Sequence, residues 1–306
     1  MVQKNNLDKK VLIICGPTAS GKTSLAIECA KLLKSEVVSA DSMCIYKDLD
    51  VGTAKPTIDE QQGIKHHLID VVSPKDNFSV GDYKSIATPI IEALIEKGKV
   101  PVVCGGTGFY INSILYDLSY GNSCANIEVR EKYKELARIH GNEYVYDVLK
   151  EKDPLSAEKL HYNDVKRVIR ALEICESGQK KSDIIDEMIP KYNYHAYAFD
   201  FPREDLYSRI NQRVDLMIEN GLIDEVDRLK RSGITAENQC IQGIGYKEIY
   251  SYLNNEISLI EAIELIKLNT RHYAKRQITF FKRFNELKWL KPEPMDIVAK
   301  RIINEI

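Results

Sequence analysis

Eight residues near the start of the chain, Gly16-Pro17-Thr18-Ala19-Ser20-Gly21-Lys22-Thr23, have the types and spacing of a phosphate-binding loop. Gly16 and Gly21 let the backbone wrap, so that successive N–H groups converge on phosphate oxygens. Lys22 neutralises charge there, and the Thr23 hydroxyl is placed to ligate Mg²⁺. The motif needs a strand before it and a helix after it. The apolar run 11–15 and the amphipathic stretch from Ser24 supply them, and the helix start adds the positive end of its dipole. The loop recognises a di- or triphosphate without distinguishing them; a nucleoside triphosphate such as ATP is the default occupant.

Three further segments carry chemical groups. Ser39-Ala40-Asp41-Ser42-Met43 ends a second apolar run and is followed by Asp50-Val51-Gly52-Thr53-Ala54-Lys55-Pro56. The carboxyl ends of strands in an open parallel sheet face the ligand crevice, which directs Asp41 toward whatever the glycine loop holds. An Asp before Ser also suits a turn or cap. Gly105-Gly106-Thr107-Gly108 lies between a strand and a helix at the same sheet edge, where a tight turn is the alternative reading. Leu68-Ile69-Asp70 resembles a strand ending in an acid and suits a second Mg²⁺ contact. His66 and His67 are adjacent, so on a strand they point to opposite faces and read as packing or capping residues rather than metal ligands.

The elements that position these groups alternate through residue 118. Strands are predicted at 11–15, 36–39, 67–72 and 100–104, with helices at 25–33 and 83–95 between them. This pattern gives an α/β fold whose parallel sheet is covered by helices. From 119 to 192 the chain reads as charged helical segments, at 128–140, 144–150 and 157–177, and forms a helical insertion. A strand at 194–201 returns the chain to its core, followed by helices at 205–219 and 222–231, and a long helical element spans about 258–284. The expected organisation is a core of residues 1–118 and 193–306 with an insertion domain at 119–192.

Composition narrows the class. The 306 residues are 44% hydrophobic and 29% charged, with a formal net charge of −2, so any nucleic-acid contact must come from a local basic stripe. Such a stripe exists: Lys267, Arg271, Lys275, Arg276, Lys282 and Arg283 follow one another without an acid, beside Tyr273, Phe280 and Phe281. On a helix, Arg271 and Lys275 share a face and Arg276 adjoins it, which suits RNA phosphates. In the insertion, Lys166 and Arg170 stand one turn apart with Arg167 beside them. Seven scattered cysteines show no zinc spacing and read as reduced thiols. A polar start and strand-length apolar runs predict no signal peptide, no membrane contact and a cytoplasmic location.

These segments together resemble the tRNA dimethylallyltransferase (tRNA isopentenyltransferase) family. The matching segments are GPTASGKT at 16–23, ADSM at 40–43 with Tyr46, DVGTAKP at 50–56, HHLID at 66–70, FSV at 78–80 and GGTGFY at 105–110. NDVKRVIRALE at 163–173, RINQRVD at 209–215, QGIGYKE at 242–248 and TRHYAKRQ at 270–277 complete the series. Cys44 stands where many members carry Gln, Tyr162 where Pro is common and Phe280 where Trp is frequent. The chain lacks the carboxy-terminal zinc finger of eukaryotic members and is similar to the bacterial type.

The resemblance implies a P-loop NTPase-like fold and a prenyl transfer. A dimethylallyl group would pass from dimethylallyl diphosphate to the exocyclic amine of the adenine immediately 3′ of the anticodon in tRNA. It implies that residues 16–23 hold the diphosphate, that Thr18, Lys22, Thr23, Mg²⁺ and Arg213 stabilise it as it leaves, and that Asp41 accepts the amine proton. It assigns adenine guidance to Thr107 and to Asp41, Ser42, Met43 and Cys44. It assigns the grip on the anticodon stem-loop to Lys166, Arg167, Arg170, Arg271, Lys275 and Arg276, in a protein expected to be a monomer. The alternatives are a prenyl transferase acting on free adenine nucleotides and a nucleotide-dependent RNA-binding switch.

Overall fold

The computed structural model describes residues 9–116, 118, 126–184, 188–284 and 286–306. Its contacts divide the chain into two compact units, 1–116 with 190–306, and 117–189.

The larger unit is built on a six-stranded, wholly parallel sheet of P-loop NTPase-like fold. Its strands are β1 (Lys10–Cys15), β2 (Val37–Ser39), β3 (His66–His67), β4 (Val102–Gly105), β5 (Asn193–Phe199) and β6 (Leu287–Leu290), in the order β3-β2-β4-β1-β5-β6. β1 is central, pairing with β4 from Leu12 to Cys15 and with β5 along its whole length. Successive β1 side chains point to opposite faces, yet Val11, Leu12, Ile13 and Ile14 are all buried, so helices cover both.

Helices α1 (Lys22–Leu32) and α2 (Val80–Glu96) follow β1 and β3, and α3 (Gly108–Leu115) follows β4. α2 starts at a reciprocal cap between Ser79 and Asp82, and Tyr83 stacks on Tyr110 of α3 at 3.9 Å between ring centroids. The second unit holds α4 (Ile127–His140), α5 (Asn142–Lys152), α6 (Pro154–Ala157) and α7 (Val165–Glu176), packed around Tyr133, Val145, Leu149, Val168 and Leu172. Within it the buried Glu173 carboxylate accepts from the Asn126 N–H at 2.7 Å and from Arg130 Nε at 2.9 Å. The first unit resumes after β5 with α8 (Arg203–Glu219), α9 (Leu222–Arg231), α10 (Tyr246–Leu253), α11 (Leu259–Phe281) and α12 (Met295–Glu305). α12 lays Val298, Ala299 and Ile302 against Leu25 and Cys29 of α1.

The sheet departs from expectation at β3. A strand at 67–72 was predicted, but the ladder stops at His67 because Leu68 and Asp70 take left-handed φ values of 64° and 58°. Val71 and Val72 donate instead to the Ile45 carbonyl, pairing with a loop rather than with β2. α10, β6 and α12 carry no strong sequence signal, and the helix predicted to reach 284 ends at Phe281. The six described cysteines are free, and Cys124 lies outside the described residues. No helix among the described residues is long and apolar enough to cross a membrane.

Candidate active site

The cradle forms where β1 stops. Gly16 and Gly21 adopt φ values of 120° and 85°, a region that costs other residues strain, and Ala19 shares it at 61°. Ser20 Oγ and Lys22 Nζ both donate to the Pro17 carbonyl, at 2.8 and 2.6 Å, folding the lysine over its own loop. Arg209 Nε, from α8, donates to the Ala19 carbonyl at 2.8 Å. No side chain caps α1, so its first N–H groups remain available to an anion. Burial depresses the pKa of Lys22, the neighbouring Arg213 cation adds to the effect, and Asp41 opposes it. Thr23 is exposed at the first turn.

The facing wall comes from the ends of β2 and β4. Asp41 Oδ1 accepts from the Met43 and Cys44 N–H groups at 2.9 and 3.3 Å, so the residue both turns its own loop and faces the cavity. Thr107 Oγ1 accepts from the Ser42 N–H at 3.0 Å, tying that loop to the turn after β4. Gly105 is required by close approach, since a Cβ there would lie 2.1 Å from the Ala40 carbonyl oxygen. Cys44 is buried, with its thiol 3.9 Å from the Thr53 carbonyl, and burial raises its pKa.

Two distant side chains complete the wall. Glu225 of α9, 1% exposed, accepts from the N–H groups of Asp50, Val51 and Gly52 at 2.9, 2.8 and 3.1 Å, and from the Tyr246 hydroxyl at 2.6 Å. Gln277 of α11 accepts from the Thr18 N–H at 2.9 Å and donates to the Gly106 carbonyl at 3.0 Å, joining the cradle to the β4 turn. Both sit among the apolar residues of their helices, at 222, 226 and 229 and at 266, 274 and 281. A polar residue on an apolar stripe is a readable signal of a buried network.

Three adjoining cavities run past these groups. The first, about 460 Å³, is lined by Lys22, Thr23, Ser24, Arg209 and Arg213. A narrow one of about 100 Å³ lies between Lys22, Asp41, Cys44, Cys104 and Ile69. The third, about 360 Å³, has Ile210, Val214, Met217 and Ile266 on its walls, together with Asp41 and Tyr273. Arg213 lines all three. Its Nε is buried without a partner, and burial lowers its pKa while Asp41 works in the opposite direction. Thr18, Asp41, Thr53 and Tyr273 each line the second and third cavities.

Other sequence-singled residues fall elsewhere. Asp70 accepts from Lys55 Nζ at 2.5 Å, and Asp50 shares that lysine at 2.6 Å. His67 Nε2 lies 2.7 Å from Glu36, and His66 Nδ1 lies 2.9 Å from the Ile64 carbonyl. On α11, Lys275 and Arg276 are exposed and Arg276 lines the third cavity. Arg271 is half-buried, donating to Asn211 at 2.7 Å and lying over the Tyr207 ring. Lys267 pairs with Asp215 at 2.8 Å. In α7, Lys166 and Arg167 are exposed, Arg167 pairs with Asp164 at 3.0 Å, and Arg170 pairs with Glu173.

Residues 44–284 match the model of the IPP transferase family. The tRNA dimethylallyltransferase of Acetivibrio thermocellus is 48% identical over 298 residues, covering 96% of this chain and 95% of that protein. That of Alkaliphilus metalliredigens is 47% identical, with 92% of each covered. Among solved structures, the tRNA isopentenylpyrophosphate transferase of Bacillus halodurans superposes with a TM-score of 0.73 at 38% identity, over 97% of this chain and 96% of that one. A eukaryotic dimethylallyltransferase acting on tRNA superposes at 0.81 and 29% identity, over 96% of this chain and 78% of that one.

Proposed function

The chain belongs to the IPP transferase family, and from that premise we propose that it moves a dimethylallyl group from dimethylallyl diphosphate to the adenine 3′ of the anticodon in tRNA. One observation carries the reading at residue level: Asp41 stands where a narrow, partly apolar cavity meets a wider one, with the phosphate cradle on the other side. The diphosphate occupies the cradle, the five-carbon group fills the narrow cavity, and adenine enters from the third. Reaching that depth requires the base to leave its stack.

In the reaction the allylic carbon–oxygen bond breaks, its electron pair leaves with diphosphate, and the exocyclic nitrogen bonds to the same carbon. Lys22, Arg213, the Thr18 hydroxyl and the loop N–H groups face the charge that grows on the departing oxygen. Asp41 takes the amine proton, which matters because the nitrogen lone pair is delocalised into the ring. Thr23 suits Mg²⁺, an ion held by few protein oxygens together with phosphate oxygens and water, and the described residues contain no cage of three or more acidic, His or Cys ligands. When bound, the ion would offset diphosphate charge.

The exposed Lys275 and Arg276, with Lys166 and Arg167 of the second unit, serve as contacts for tRNA phosphates. We take the working form to be a monomer, acting on tRNA in the cytoplasm. The test is to offer labelled dimethylallyl diphosphate with tRNA, AMP or ATP. Label should enter only tRNA, at the adenine beside the anticodon. Labelled AMP or ATP would point to a nucleotide-level transferase, and tRNA-stimulated ATP hydrolysis without transfer would point to a switch.

A further inference from the structure

We propose that Phe109, seated on Phe280, is a stacking platform for the unpaired base next to the adenine that enters the third cavity; the proposal rests on the prenyl-transfer reading above. Phe109 lies in the first turn of α3, two residues after Thr107, and is 60% exposed, whereas a phenylalanine is ordinarily buried. It does not stand alone. Its ring lies 5.3 Å from that of Phe280, centroid to centroid, and Phe280 is held in turn by Phe281 and Phe284 at 5.7 and 5.9 Å. Gly108 completes the seat, since a Cβ there would lie 2.1 Å from the Phe280 ring.

The surroundings of the pair name its occupant. Residues three or four apart share a face of α11, so Tyr273, Arg276 and Phe280 form one row, of which Tyr273 and Arg276 line the third cavity. Exposed Lys282 and Arg283 follow at the end of the helix, and no acidic residue occurs between Lys267 and Arg283. An aromatic face set among cations suits single-stranded RNA, whose bases stack on rings and whose phosphates pair with the charges. Thr107 ties this face to the chemistry, its Oγ1 accepting from the Ser42 N–H at 3.0 Å in the loop that carries Asp41. Drawing the adenine into the cavity takes it out of its stack. The base beside it then loses a neighbour, and the Phe109 ring replaces that neighbour.

The experiment uses the full chain and synthetic anticodon stem-loops: one intact, one with an abasic nucleotide on the 5′ side of the target adenine, and one with it on the 3′ side. Filter-binding affinity and prenyl-transfer kinetics are measured on each. Phe109→Ala should weaken binding of the intact RNA about tenfold, the usual weight of one base stacked on an aromatic ring. Its kcat and the salt slope of binding should match the wild type, because neither a reacting group nor a phosphate contact is removed. The wild type should lose about tenfold on one of the two abasic RNAs, and on that RNA Phe109→Ala should lose nothing more. Phe109→Trp should keep the wild-type affinity, whereas Phe109→Leu, apolar but without a π face, should behave like Phe109→Ala. A Phe109→Ala loss that persists undiminished on both abasic RNAs, or no loss on the intact one, overturns the proposal and leaves prenyl transfer standing. Altered self-association with unchanged RNA affinity makes this face a contact between copies and also overturns it. If the wild type binds the intact stem-loop without prenylating it, prenyl transfer falls and this proposal with it.

Discussion

Residues 16–23 close their cradle largely with their own atoms, Ser20 and Lys22 both bonding to the Pro17 carbonyl. Residues 41–56 face the same cavities but take their shape from afar, through Thr107, Glu225 and Tyr246. The difference separates two ways of building a site. A self-closing loop takes most of its shape from contiguous residues, with Gln277 and Arg209 as its outside ties, whereas a suspended loop has no regular structure and depends on each remote anchor.

The comparison breaks most severely at Lys22. Lys22→Ala removes the cation of the self-closing loop, and turnover should fall by about a thousandfold in single-turnover assays while tRNA still binds to filters. Asp41→Asn strikes the suspended loop at its chemical end. Its amide oxygen still accepts from the Met43 and Cys44 N–H groups, so the turn persists, but the base is gone and the chemical step should slow by about a hundredfold. A rate equal to the wild type at saturation would make Asp41 a positioning residue.

Glu225→Gln tests the suspension itself. An amide places an N–H₂ group against N–H donors that the carboxylate now satisfies, so thermal or urea unfolding should report a loss of about 1–3 kcal/mol. Because Thr53 and Ala54 line the cavities, kcat/KM should fall about tenfold at temperatures where the variant stays folded. An unchanged kcat/KM would show that residues 50–52 need no anchor. The smallest effects belong to the RNA-facing cations. Lys275→Ala and Arg276→Ala should raise KM for tRNA a few-fold and each flatten its salt slope by about one. Arg271→Ala should instead act mainly on stability, because its guanidinium is held by Asn211 and Tyr207. A salt-slope change there equal to that of Lys275→Ala would return Arg271 to the RNA surface.

The same contrast explains what was legible in the sequence. Residues 16–23, Asp41 and the Gly105–Thr107 turn were readable because each closes a strand of the sheet by a local pattern. The strand predicted at 67–72 failed because nothing in Leu68-Ile69-Asp70 announces a left-handed backbone. β6 is four residues long with Lys288 pointing outward, too short to show alternation. Glu225 and Gln277 looked like ordinary helix residues, although each lies on an apolar stripe where a polar group demands a buried partner. Arg271 was singled out by charge and spacing, which do not reveal that Asn211 already accepts from it.

The Gln277 bridge also sets an order of assembly. The Thr18 N–H and the amide that receives it are 259 positions apart. β1 lacks its β5 neighbour until residue 199 has been made, after the whole second unit has been synthesised. Synthesis proceeds from the amino terminus, so the glycine loop emerges first yet is locked last. A chain arrested before α11 therefore displays the phosphate loop without its clasp, and prenyl-transfer competence should appear only with the final fifth of translation.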